Sequence, residues 1–128
     1  MDKRVTEFVR DVAQSIVGLA VALYLQDHPK TFDTAAGLAL RLRHPVEAIT
    51  PVVERFADYG LIRKVSSRDG SYACYSLNRT PAMWNLLCMI SESFIDNPET
   101  RKEIVRMLVA QRQQQAAEEG EATPPANS

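Results

Sequence analysis

The sequence predicts a mostly α-helical domain carrying one small β-hairpin, and three observations predict it. Apolar residues recur at alternating steps of three and four along most of the 128-residue chain, the spacing that lines one face of a helix. Between residues 61 and 77 that spacing gives way to two short runs rich in β-branched, aromatic and aliphatic residues around Asp69-Gly70, a tight-turn signal between strands. The composition, 45% hydrophobic and 24% charged, is that of an ordinary globular protein, and the length suits one domain.

The first helix is expected to run from Val5 through Val9, Val12, Ile16, Leu19 and Leu23, all on one face, until Pro29 ends it. After a short extended link at Lys30-Thr31-Phe32, Asp33 or Thr34 caps a second helix over Ala35 to Leu42. Arg43-His44-Pro45 makes a tight turn, with Pro45 at a first helical position. The third helix runs from Pro45 to Tyr59, its buried seam formed by Leu42, Val46, Ile49, Val53 and Phe56. Pro51 is expected either to kink this helix or to restart it with Thr50 as cap. Gly60 reads as a left-handed C-cap with Leu61 folding back onto the helix.

Strands over Leu61 to Val65 and Ser71 to Leu77 follow, then helices opened by Thr80-Pro81 and by Asn97-Pro98. The domain therefore spans residues 1–115, with a core over 5–79 and two further helices over 80–115. Residues 116–128, built of Ala, Glu, Gly, Thr, Pro, Asn and Ser, read as a disordered tail.

Several function classes are disfavoured. Fifteen Lys and Arg against sixteen Asp and Glu leave a net charge of −1, so the chain is not a strongly basic coat for nucleic acid. Cys74 and Cys88 form no disulfide framework and no metal spacing; two reduced, packed thiols fit a cytoplasmic protein. The apolar run Ile16 to Leu25 is too short to span a bilayer. No Gly-rich phosphate loop, nucleophile elbow or zinc-protease motif is present. The sequence asks for no enzyme activity, cofactor or metal.

Helix, short extended link, helix, tight turn, helix and hairpin follow one another in 33-DTAAGLALRLRHPVEAITPVVERFADYGLIRK-64 and 66-SSRDGSYACYSLN-78. This stretch resembles the winged helix-turn-helix core of MarR-, ArsR- and PadR-type transcriptional regulators, without singling out one of them. The resemblance implies a winged helix-turn-helix with additional C-terminal helices, binding double-stranded DNA with its third helix in the major groove and its wing along the phosphates. Arg41, Arg43, Arg63, Lys64 and Arg68 are then the phosphate contacts, with His44, Glu47, Thr50 and Arg55 near base edges. Such regulators usually dimerise through helices flanking the winged core, which assigns Val5, Val9, Trp84, Phe94, Ile104 and Leu108 to a homodimer interface.

Charge supports and complicates this reading at once. Residues 1–79 hold 11 basic and 9 acidic side chains, whereas residues 80–128 hold 4 and 7. From His44 to Tyr59, however, one Arg stands against three acids, and neutralising Lys and Arg supply most affinity for a duplex. The alternative is a winged helix used for protein interaction, with the acidic third helix facing a protein partner.

Overall fold

The computed structural model describes residues 1–122. Its elements in chain order are α1 (Lys3–Phe8, continued by a π-helical turn, Val9–Ala13), α2 (Ile16–Asp27), β1 (Phe32–Asp33), α3 (Ala35–Leu42), α4 (Val46–Tyr59), β2 (Ile62–Ser66), β3 (Ala73–Leu77), α5 (Pro81–Ser91, continued by a π-helical turn, Glu92–Asp96) and α6 (Pro98–Ala122). The expected winged helix-turn-helix is present. Helices α2 and α3 both pack on α4, the sheet lies against α3 and α4, and α5 covers α2.

The single first helix of the sequence reading is broken in two. Gln14 adopts a left-handed conformation (φ 63°), and the segments before and after it meet at 117°. Ser15 caps the new helix, its hydroxyl accepting from the Gly18 N–H at 3.0 Å. Gly18 lies so close to the preceding turn that a Cβ there would stand 2.0 Å from the Ala13 carbonyl oxygen. The bend folds Val5, Phe8 and Val9 into the same core as α4: Phe8 meets the rings of Phe56 and Tyr59 at centroid distances of 5.5 and 5.6 Å.

The link before α3 is also more than a connector. Phe32 and Asp33 pair with Ser76 and Tyr75, so the hairpin gains a third strand, in the order β1-β3-β2, all antiparallel. In the hairpin Ile62 opposes Leu77, Lys64 opposes Tyr75 and Val65 opposes Cys74. Period-two alternation turns the first two pairs toward the helices, and Ile62, Tyr75 and Leu77 are buried. Val46, expected in the buried seam of the third helix, lies at its exposed start instead.

Leu19, Leu38, Ile49, Phe56, Leu61, Leu87, Ile90 and Ile104 complete a continuous core, each such side chain contributing about 2 kcal/mol on burial. Helix α6 continues to Ala122, past Ala116 where the sequence predicts a disordered tail. Residues 123–128 of that stretch lie outside the described residues. Among the described residues, no single helix is long and apolar enough to cross a membrane.

Candidate nucleic-acid interface

The helix-turn-helix is set by two local devices. Thr34 caps α3, its hydroxyl accepting from the Gly37 N–H at 3.0 Å. At the other end Arg43 takes the left-handed position (φ 58°), and the His44 N–H donates to the Ala39 carbonyl at 3.0 Å. That closes α3 by the C-terminal geometry usually given to glycine and sends the chain directly into α4. Arg43 is exposed and His44 half-buried. Arg41 is drawn back toward the start of α3, where its Nε donates to Asp33 at 3.1 Å. That bond, with charge from Tyr24 and Asp33 behind it, raises the Arg41 pKa.

Pro45 precedes α4, whose first amides no side chain caps; the Ala48 N–H donates to the Pro45 carbonyl at 3.0 Å, and the N–H groups ahead of it lie at the positive end of the helix dipole. Glu47, Thr50, Pro51 and Asp58 are exposed, while Ile49, Val52, Val53 and Phe56 are buried. Pro51 lies within one continuous helix. It lacks the N–H that would reach the Glu47 carbonyl, and one residue earlier Thr50 donates through its hydroxyl to the Val46 carbonyl at 2.9 Å.

Two further α4 side chains, Glu54 and Arg55, find partners within the molecule. Glu54 accepts from the Tyr75 hydroxyl at 2.5 Å and from Lys64 Nζ at 2.9 Å, tying the helix to both strands of the wing. These bonds, Tyr75 first and Lys64 second, hold the Glu54 carboxyl below its ordinary value. Burial, helped by the bond to Glu54, pushes the Tyr75 phenol up to about 12. One of the three acids counted on this helix is therefore already neutralised by a wing lysine.

Arg55 turns inward. Its Nε donates to the Val12 carbonyl at 2.9 Å and its Nη2 to the Ala13 carbonyl at 3.0 Å, and burial lowers its pKa. The expected base contact at Arg55 is thus corrected: the guanidinium caps the carbonyls that the bend before α2 leaves open.

At the wing, Gly70 is left-handed (φ 73°). Asp69 accepts from the Ser71 N–H at 3.0 Å, the Ser71 hydroxyl at 2.7 Å and the Ser67 hydroxyl at 2.8 Å. These bonds bring its pKa down to about 2 and leave Arg68 exposed at the tip. Asn78 clamps the base of the wing to the end of α4, its Nδ2 donating to the Gly60 carbonyl at 3.0 Å. Arg63 is exposed on β2.

Arg43, Glu47 and Thr50 are therefore presented at the turn and the start of α4, with Arg63 and Arg68 on the wing. Lys64 is engaged by Glu54, Arg41 by Asp33, and Arg55 is withdrawn. Sequence reasoning missed the Glu54–Tyr75 bond and Arg79, which follows β3 and shares a cleft with Arg63. Of the residues assigned to a dimer interface, Val5, Val9, Ile104 and Leu108 are fully buried within the chain itself. The bend at Gln14 and the docking of α6 enclose them, so they offer nothing to a partner. Trp84 and Phe94 are half-buried.

A helix-turn-helix with a three-stranded sheet, whose hairpin projects beside the third helix of the core, is a winged helix-turn-helix, the fold of the transcriptional regulators that the sequence resembles. Solved structures with this architecture include a protein described as a possible transcriptional regulator from Methanosarcina mazei Go1, with 16% identity over 77% of this chain and 86% of that chain and a TM-score of 0.52. The apo form of the C30AH42A mutant of ZitR from Lactococcus lactis is similar too, with 15% identity over 92% of this chain and 85% of that one and a TM-score of 0.51. At such identities the likeness is one of fold. No family model matches the chain, and no curated protein matches it.

Proposed function

We propose that this chain is a cytoplasmic, non-enzymatic transcriptional regulator that binds double-stranded DNA as a homodimer. The observation that carries the reading is the joint exposure of Arg43, Glu47 and Thr50 at the uncapped start of α4, beside Arg63 and Arg68 on the wing. Free amides at a helix start and arginines on a projecting hairpin suit phosphate oxygens. Thr50, Glu47 and His44 are the side chains placed to meet base edges; Glu47 accepts from a cytosine amino group in this reading. The loss of Glu54's free charge to Lys64 supports it as well, because it lowers the acidity of the helix face. The dimer uses Phe94 and the exposed apolar residues Ile16 and Val109, which lie across one groove between α2 and α6.

The test is fluorescence anisotropy with random duplex DNA over a salt series. Binding at low salt is expected, with log K falling by about 0.9 per decade of salt for each phosphate neutralised. Replacing Arg63 and Arg68 together by Ala should flatten that slope by about two phosphates' worth. Absence of binding at the lowest salt, by a folded dimer, sinks the reading in favour of a protein partner for α4.

A further inference from the structure

Three clefts share lining residues. The first, about 240 Å³, runs between Arg63 and Arg79 at the base of the wing. Arg79 also borders the second, about 410 Å³, together with Trp84 and Pro29. Pro29 in turn borders the third, about 580 Å³, which holds Lys30, Phe32, Arg41 and the stacked rings of Tyr24 and His28. Those two rings lie 4.3 Å apart, and Phe32 is 61% exposed. Each neighbouring pair adjoins at one shared lining residue, Arg79 or Pro29, and the three together are the candidate groove.

The groove mixes cations with rings: Arg63, Arg79, Lys30 and Arg41 with Trp84 and Phe32. Its single carboxylate, Asp33, is already bonded to Arg41 and to the Thr34 N–H, so the wall carries a net positive charge. Trp84 packs in part against the core, whereas core packing does not explain Phe32, which contributes little to it at its exposure. A duplex is too stiff to follow a groove on so small a body and keeps its bases stacked inward. A single strand bends freely and offers every base a flat face, which aromatic side chains bind without regard to sequence while cations track the phosphates.

We propose that this groove binds single-stranded nucleic acid, with bases stacking on Trp84 and Phe32 and phosphates contacting Arg63, Arg79 and Lys30. The site is separate from the start of α4 and stands whether or not α4 reads a duplex. Arg63 alone belongs to both surfaces, and the test leaves it intact.

Trp84 is the chain's one tryptophan, so its emission reports stacking directly. The full chain is titrated with a dT12 oligonucleotide, a duplex of equal length, and poly-glutamate of equal charge, following Trp84 fluorescence at several salt concentrations. Expected are quenching by dT12 alone, a salt slope of about −0.7 per phosphate contacted, and a loss of roughly 5- to 100-fold in dT12 affinity in Phe32→Ala. The exposure of Phe32 means that this variant keeps its fold, verified by circular dichroism. The proposal is overturned by absence of dT12 binding at the lowest salt, by equal affinity of wild type and Phe32→Ala, or by equal quenching with poly-glutamate. Duplex binding without dT12 binding overturns this site and leaves the regulator reading standing; the reverse result does the opposite.

Discussion

The Tyr75 hydroxyl donates to the Glu54 carboxylate at 2.5 Å, and this bond joins the central strand of the sheet to the middle of α4. Lys64 approaches the same oxygen from the neighbouring strand, so the angle between wing and helix is held at a single acceptor. Tyr75→Phe should lower stability by about 1.5–3 kcal/mol, the usual worth of a hydrogen bond to a charged group, measured by urea unfolding at neutral pH.

Acid should act on the same bond. The folded Glu54 carboxyl is held below its ordinary value of 4.5, so its contribution is full above that value and is lost as pH falls through the lower folded one. Glu54→Gln should therefore unfold with a shallower loss of stability between neutral pH and pH 3 than the wild type. On the alkaline side, the Tyr75 phenol is raised to about 12 from 10, so its contribution drains away between those values. Ultraviolet titration should show one of the four tyrosines ionising late, and Glu54→Gln should bring it earlier. An unchanged titration would rule out the bond in solution.

Arg55 supplies a test that separates structure from recognition. Arg55→Met should cost about 2–4 kcal/mol, because two carbonyls at the bend lose their donor in a partly buried setting. Arg55→Lys should recover little of this, since an ammonium cannot reproduce the fork that serves Val12 and Ala13 together. A variant of wild-type stability with weakened DNA binding would instead return Arg55 to the base-reading role first expected of it.

Glycine positions make contrasting predictions. At Gly18 an added methyl would meet the Ala13 carbonyl at 2.0 Å, so Gly18→Ala should destabilise by about 3 kcal/mol, the upper end for overpacking, or straighten the bend. At Gly70 no atom lies within 4 Å of the added carbon, and only the left-handed backbone is strained, at a cost of about 1–2 kcal/mol. Thermal unfolding of the two variants should rank them in that order.

Arg43 inverts the argument. It occupies a left-handed position that glycine fills without strain, so Arg43→Gly should hold or raise stability by up to about 1 kcal/mol. Duplex affinity should nevertheless fall in that variant, with a smaller salt slope. Loss of stability without loss of affinity would mean that the arginine serves the turn alone.

Much of the core was legible because its signals are local. Gly60, Asp69-Gly70, Thr80-Pro81 and the Ile49–Val53–Phe56 spacing each state their structure within a few residues. The break at Gln14 was not, because Val12, Ile16 and Leu19 keep helical spacing straight through it and neither Gly nor Pro marks the place. Only Ser15, placed three residues before Gly18, hinted at a new cap. The partners of Arg55 and Glu54 were hidden for a related reason: periodicity says which face a side chain leaves from, and long side chains then travel to partners 42 and 21 residues away. The burial of Val5, Val9, Ile104 and Leu108 within the chain was hidden likewise, since they find one another's side of the core only after the bend has formed.

The same separations bear on the order in which the molecule sets. The turn at Arg43, the hairpin and the Asn78 clamp close short loops, whereas Arg55 reaches Ala13 across 42 residues and Gln111 reaches the Arg10 carbonyl across 101. Closing loops of those lengths costs about 3 and about 4 kcal/mol of chain entropy, which short-range contacts need not overcome. By separation alone, the turn and the hairpin are expected to form first, with β1, which pairs with Ser76 from Phe32, the N-terminal bend and α6 closing onto them afterwards as a collar.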